Sequence, residues 1–193
     1  MNLTNTQKQF SILFIMIVLF EQVTSAVPNL IWAHYIAKPA IVMSLIFLFQ
    51  KESENIPSKQ KGFVLFALFF SVVGDILLMF TEKSELFFIF GLVAFLIAHC
   101  CYTLVFFKQR TKGNWRLYIL MMLIVYAGFF LALIKSSLAN LLLPVVLYIL
   151  VILTMAYTSF LRKGAVSQQS YLLVVIGALL FLISDSSPKF LSN

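Results

Sequence analysis

Seven long apolar runs, separated by short polar segments, account for most of the chain: approximately 10 to 27, 30 to 50, 62 to 80, 86 to 107, 115 to 134, 138 to 161 and 170 to 187. A hydrocarbon core of about 30 Å is crossed by about 20 helical residues, so each run is sized for one crossing. Pro28 and Asn29 predict a tight turn between the first two runs. Lys51 to Lys61 and Lys108 to Arg116 are too polar to enter hydrocarbon cheaply and read as loops. The pattern predicts an all-α, polytopic transmembrane bundle of seven spans, forming a single domain over residues 1–193. The first run could also be read as a leader, with Lys8 ahead of the apolar stretch Phe10 to Phe20 and Thr24-Ser25-Ala26 as a cleavage site. Glu21, lying between the apolar stretch and that site, favours a retained helix.

Composition agrees with the pattern. The 193 residues are 62% hydrophobic and 11% charged, with a mean hydropathy of +1.01, against about 45–50% and 25% in a soluble domain. No glycine-rich phosphate loop is present, which argues against ATP-driven chemistry. The net charge of +7 comes from residues scattered in short loops. That placement suits an anionic cytoplasmic leaflet and not nucleic acid. Lys8, Lys51, Lys59, Lys61, Lys108, Arg110, Lys112, Arg116, Arg162 and Lys163 gather on one side of the predicted topology, and only Lys83, Lys135 and Lys189 on the other. Ten against three places the amino terminus in the cytoplasm, and a bacterial inner membrane is the expected location. Cys100 and Cys101, the only cysteines, are adjacent within an apolar run and show neither a disulfide framework nor a metal-ligand spacing.

The candidate chemistry lies inside the predicted spans. Asp75 and Asp185 are the only aspartates, and both fall in apolar runs, as do Glu21, His34, Lys38 and His99. A charged residue at a helix centre costs about 2.5–3.5 kcal/mol, so such groups pair, share protons or line a wet cavity. From the helical rise, Glu21, Lys38, Asp75 and Asp185 come out at about 17, 18, 20 and 21 Å from the cytoplasmic edge, and His99 at about 10 Å. Four helices therefore put a charge at one level, and a polar cavity open to the far leaflet is expected. Ser71, Gly74 and Asp75 share a helix face, and Gly177, Ala178, Ser184 and Asp185 recur on another; small residues predict that these faces pack on protein. Glu21 is expected to form a structural pair with Lys38, to meet a backbone group as a protonated carboxyl, or to take part in catalysis. His34, Trp32 and Trp115 read as interfacial, and Tyr102 as a packing residue or as a partner of His99 on one face.

Ala37-Lys38-Pro39, Ser71-Val72-Val73-Gly74-Asp75, Ala98-His99-Cys100-Cys101-Tyr102 and Gly177 to Asp185, in this order and spacing, resemble the signature of the YhhN-type lysoplasmalogenase family. The resemblance implies an integral membrane hydrolase that cleaves the vinyl ether bond of lysoplasmalogens to a fatty aldehyde and a glycerophospho-alcohol. Members of the family usually have eight spans. This sequence reads Ser186-Ser187-Pro188-Lys189-Phe190-Leu191-Ser192-Asn193 after Asp185, which predicts that the eighth is missing.

Vinyl ether hydrolysis needs a proton donor for the distal alkene carbon and an anion to support the oxocarbenium ion that water attacks. Two carboxyl groups in unlike surroundings supply both, and Asp75 and Asp185 are the candidate catalytic pair. Lys38, His99, Tyr102, Glu21 and Ser184 are candidate supporting or substrate-binding residues. Lys38 could hold one carboxylate or contact the lipid phosphate. The expected partners are a single-chain lipid and the bilayer, and no cofactor or metal is expected. A proton-coupled carrier, which also places Asp, Lys and His in the membrane, is the rival reading, together with an inactive, shortened family member.

Overall fold

The computed structural model describes residues 4–113, 115–134 and 142–185. Within them the chain forms seven α-helices: α1 (Asn5–Ala26), α2 (Ile31–Glu52), α3 (Ser58–Leu78), α4 (Glu85–Lys108), α5 (Trp115–Ile134), α6 (Leu142–Phe160) and α7 (Gln168–Asp185). No strand occurs among the described residues. The predicted runs and the observed helices coincide within a few residues, because in a membrane each span must satisfy its own backbone hydrogen bonds. Six helices are long and apolar enough to cross a membrane; in the seventh, the apolar stretch Gln168–Leu182 is shorter. The protein is a multi-pass integral membrane protein.

Local chemistry sets the helix ends. Thr4 caps α1 by accepting from the Gln7 N–H at 3.2 Å, and the Gln7 side chain accepts from the Thr4 N–H at 3.2 Å, so two orphan donors are satisfied reciprocally. A short 3₁₀ turn, Pro28–Leu30, links α1 to α2, where proline's fixed φ suits the first position. Pro57 precedes α3, and Gly164 takes φ +82° in the α6–α7 turn, a backbone state that favours glycine. Pro39 lies inside α2. Lacking an N–H, it leaves the carbonyl one turn earlier without its usual helical partner.

The tertiary contacts divide the chain into two units, residues 1–94 and 95–193, with α4 running through the boundary. In the first unit α1 packs on α2 and α2 on α3. Small residues allow this packing: Ala37, Ala67 and Gly74 are buried. At Gly91 of α4 an added Cβ would stand 2.7 Å from Leu78 Cδ2 and 3.6 Å from the Gly74 carbonyl. Helices α3 and α4 approach closely there. In the second unit α6 packs against both α5 and α7, and its Val145, Tyr148, Ile149, Ile152 and Ala156 are buried. Large apolar side chains remain exposed around the outside, including Ile12, Phe47, Phe69, Leu117 and Leu173, as a lipid-facing surface requires.

Candidate functional site

The first unit brings together ionisable groups from three consecutive helices. Glu21 of α1 is buried. Its Oε2 accepts a 3.0 Å hydrogen bond from Gln22 Nε2, and its Oε1 stands 3.4 Å from His34 Nδ1 of α2. That spacing is within ion-pair range, although Nδ1 makes no hydrogen bond. Lys38 lies four residues after His34, one turn along the same helix. Asp75 of α3 is half-buried and interacts electrostatically with both Lys38 and Glu21, one charge of each sign. A carboxyl so placed can exchange a proton or face a cationic intermediate without being paired away by either neighbour.

Lys38 was one partner expected for Glu21; the group at ion-pair distance is His34, whose side chain is only 16% exposed. The physical reason is the axial offset between α1 and α2. His34 and Lys38 share one face of α2 a turn apart, so the height at which α1 packs along α2, and not the face α2 presents, decides which of them Glu21 meets. Trp32 does project outward, at 77% exposed.

His99 and Tyr102 belong to the second unit. His99 is buried, and its Nδ1–H donates to the Phe95 carbonyl one turn earlier. Aromatic rings enclose it: Phe181 at 4.7 Å, Tyr148 at 5.8 Å edge-on and Phe95 at 6.1 Å between centroids. Tyr102 is half-buried and stacks on Phe106 at 6.0 Å. Tyr148 and Phe181 were absent from the candidates, and no local signal marks them, since they reach His99 from other helices. On α7, Ala178 is buried as the small-residue pattern predicts. Gly177 is exposed, with nothing within 4 Å of an added Cβ, so it does not share the packed face. Asp185 is the last residue of α7, one turn beyond Phe181; its side chain and that of Ser184 lie outside the described residues.

Among the described residues no three His, Cys, Asp or Glu side chains gather as metal ligands would. The polar groups here can hold protons, orient water and balance charge in a low-dielectric setting.

Against curated proteins and solved structures the sequence finds no match. The model of the YhhN family matches residues 33–188, a stretch that holds Lys38, Asp75, His99, Tyr102, Ser184 and Asp185 and leaves out Glu21. With that match extending from the first turn of α2 to beyond α7, over most of the chain, the protein belongs to the YhhN family.

Proposed function

We propose that the chain is a membrane-embedded, lysoplasmalogenase-like hydrolase that cleaves the vinyl ether bond of a single-chain ether lipid. The observation that carries this reading is Asp75, half-buried within a candidate span and interacting electrostatically with Lys38 and Glu21. Charged groups are placed in hydrocarbon at a cost, and function is their usual reason. Membership of the YhhN family supports a hydrolase.

In the proposed reaction one carboxyl group, of Asp75 or Asp185, protonates the distal alkene carbon, and the other, as carboxylate, supports the oxocarbenium ion. Water adds to that ion to give a hemiacetal, which collapses to a fatty aldehyde and the glycerophospho-alcohol. Lys38 balances anionic charge near Asp75, Glu21 and His34 hold the local field, and His99 is a proton carrier or water-orienting group. The part of Asp185 and Ser184 rests on their sequence motif and the family match. A bacterial inner membrane is the proposed location.

The test is aldehyde release from a lysoplasmalogen by the purified chain in detergent. Asp75→Asn and Asp185→Asn should each lower turnover at least about a hundredfold, the lower end of what a positioned acid or base contributes, with the helical content unchanged. Near-normal turnover in either variant removes that residue from the mechanism. Absence of aldehyde from the wild type, together with dissipation of a pH gradient in proteoliposomes, would favour a proton-coupled carrier.

A further inference from the structure

Arg162, at the end of α6, is a buried charge that the proposed reaction leaves unused. It is 5% exposed. Its Nε donates to Gln109 Oε1 at 2.8 Å, its Nη2 donates to Ser170 Oγ at 3.1 Å, and the guanidinium lies 5.0 Å from the centre of the Phe106 ring. These neutral partners orient the guanidinium without neutralising it. The third nitrogen, Nη1, is buried with no hydrogen-bond partner. Arg116, in the first turn of α5 and partly exposed, also has its Nε and Nη2 atoms buried without a hydrogen-bond partner among the described residues.

The sequence explains why no counter-charge arrives. Between Glu85 and Asp185 there is no acidic residue, while Lys108, Arg110, Lys112, Arg116, Arg162 and Lys163 all fall within that stretch. The fold of the second unit draws these cations to one end. Thr111 donates through its N–H to the Leu161 carbonyl at 2.9 Å and through Oγ1 to the Lys163 carbonyl at 2.7 Å, tying the segment after α4 to the end of α6. A buried cation whose hydrogens are unmet is strongly unfavourable, and burial draws the Arg162 guanidinium below its ordinary value, as desolvation without a counter-ion does. Arg162 keeps Nη1 without a partner, and Arg116 keeps the adjacent pair Nε and Nη2; guanidinium N–H groups of this kind match the oxygens of a phosphate group. The segment that follows Arg162 lines a cleft of about 600 Å³ through Lys163, Gly164, Gln168, Tyr171 and Leu172, polar at Lys163 and Gln168 and apolar at Leu172; Arg162 itself does not line it.

We propose that this end of the second unit is a binding site for a phosphate group, with Arg162 as its principal donor and Arg116 as its second. The phosphate is carried by a membrane phospholipid or is free in solution. Nη1 is closed to solvent, so binding parts the side chains that cover it. The site is independent of the hydrolase reading, as it shares no residue with the candidate catalytic groups.

Trp115, adjacent to Arg116, supplies a local probe once Trp32 is replaced by Phe, since the chain has two tryptophans. The full chain in dodecyl maltoside is titrated with short-chain phosphatidic acid, the matching diacylglycerol and inorganic phosphate, following tryptophan emission. A saturable change with phosphatidic acid and none with diacylglycerol is expected. A matching response to inorganic phosphate identifies a free phosphate as sufficient, and its absence assigns the phosphate to the lipid headgroup. Arg162→Gln should weaken binding about tenfold or more, the loss expected for one charge-assisted contact. Arg162→Lys keeps the charge without the fork and should fall between. Lys112→Gln, at an exposed position, should stay within about twofold of wild type. No saturable response to either phosphate compound overturns the proposal, as does equal weakening in Lys112→Gln and Arg162→Gln, which would mean diffuse attraction to a basic surface. Should Arg162→Gln not fold, wild-type affinity in both Arg162→Lys and Arg116→Gln would overturn it equally.

Discussion

Replacing Glu21 by Gln preserves the shape of the side chain and an acceptor for Gln22, and removes the charge that faces His34. With 3.4 Å between Glu21 Oε1 and His34 Nδ1, two unit charges at an effective dielectric of about 20 attract by about 5 kcal/mol. That is the gross figure for an ionised pair. Desolvation of both groups offsets most of it, and the contact lacks hydrogen-bond geometry at Nδ1. At 16% and 11% exposure the side chains are largely shielded from salt. A coupling of about 1–2 kcal/mol is the expected remainder, within the range for contacting residues. The assay is a double-mutant cycle. Unfolding free energies of the wild type, Glu21→Gln, His34→Gln and the double variant are measured by circular dichroism in dodecyl maltoside micelles titrated with dodecyl sulfate. The double variant should be less destabilised than the sum of the singles by that amount. A coupling below about 0.3 kcal/mol, the scatter of independent sites, would refute the reasoning and reduce the pair to neighbours. Because Glu21 also acts on Asp75, a second cycle pairing Glu21→Gln with Asp75→Asn should show a coupling of opposite sign, as like charges relieve one another when either is removed.

Two structural predictions accompany it. Gly91→Val should lower stability by about 1–3 kcal/mol, since its Cβ would fall 2.7 Å from Leu78 Cδ2 and the side chain must be displaced. Gly128→Ala, where an added Cβ meets nothing within 4 Å, should be neutral or gain up to about 1 kcal/mol from helix propensity. Equal stability of Gly91→Val and wild type would show that close approach of α3 and α4 is not what that glycine serves. Thr111→Val removes the hydroxyl bond to the Lys163 carbonyl and keeps the backbone bond to Leu161. It should cost about 1 kcal/mol and speed amide exchange over residues 161–167, read by hydrogen–deuterium mass spectrometry. Unchanged exchange would mean that the backbone bond alone holds the turn.

The spans were legible in the sequence because membrane insertion depends on hydropathy, which is a sum over consecutive residues and needs no knowledge of partners. Pro57 ahead of α3 and the Pro28 turn ahead of α2 could be read for the same reason, since a missing N–H or a fixed φ acts where it stands. The four motif strings were legible too, and with them Lys38, Asp75 and His99 as residues whose burial needed explaining.

Partnership was not legible. These helices are apolar on nearly every side, so no polar stripe states which face meets which neighbour. The height at which α1 packs along α2 set His34, and not Lys38 on the same face, against Glu21. The meeting of α4, α6 and α7 enclosed His99 between Tyr148 and Phe181, and turned Gly177 outward although its neighbour Ala178 packs inward. Arg162 makes the same point from the loop side: composition counted it as one basic residue among fourteen. Only the junction of Gln109, Phe106 and Ser170 turned it into a buried cation short of a partner. Hydropathy is local and additive, and so the sequence decided where the chain crosses. Helix phase and axial offset are set by packing between separate segments, and so the tertiary structure alone decided which charges meet.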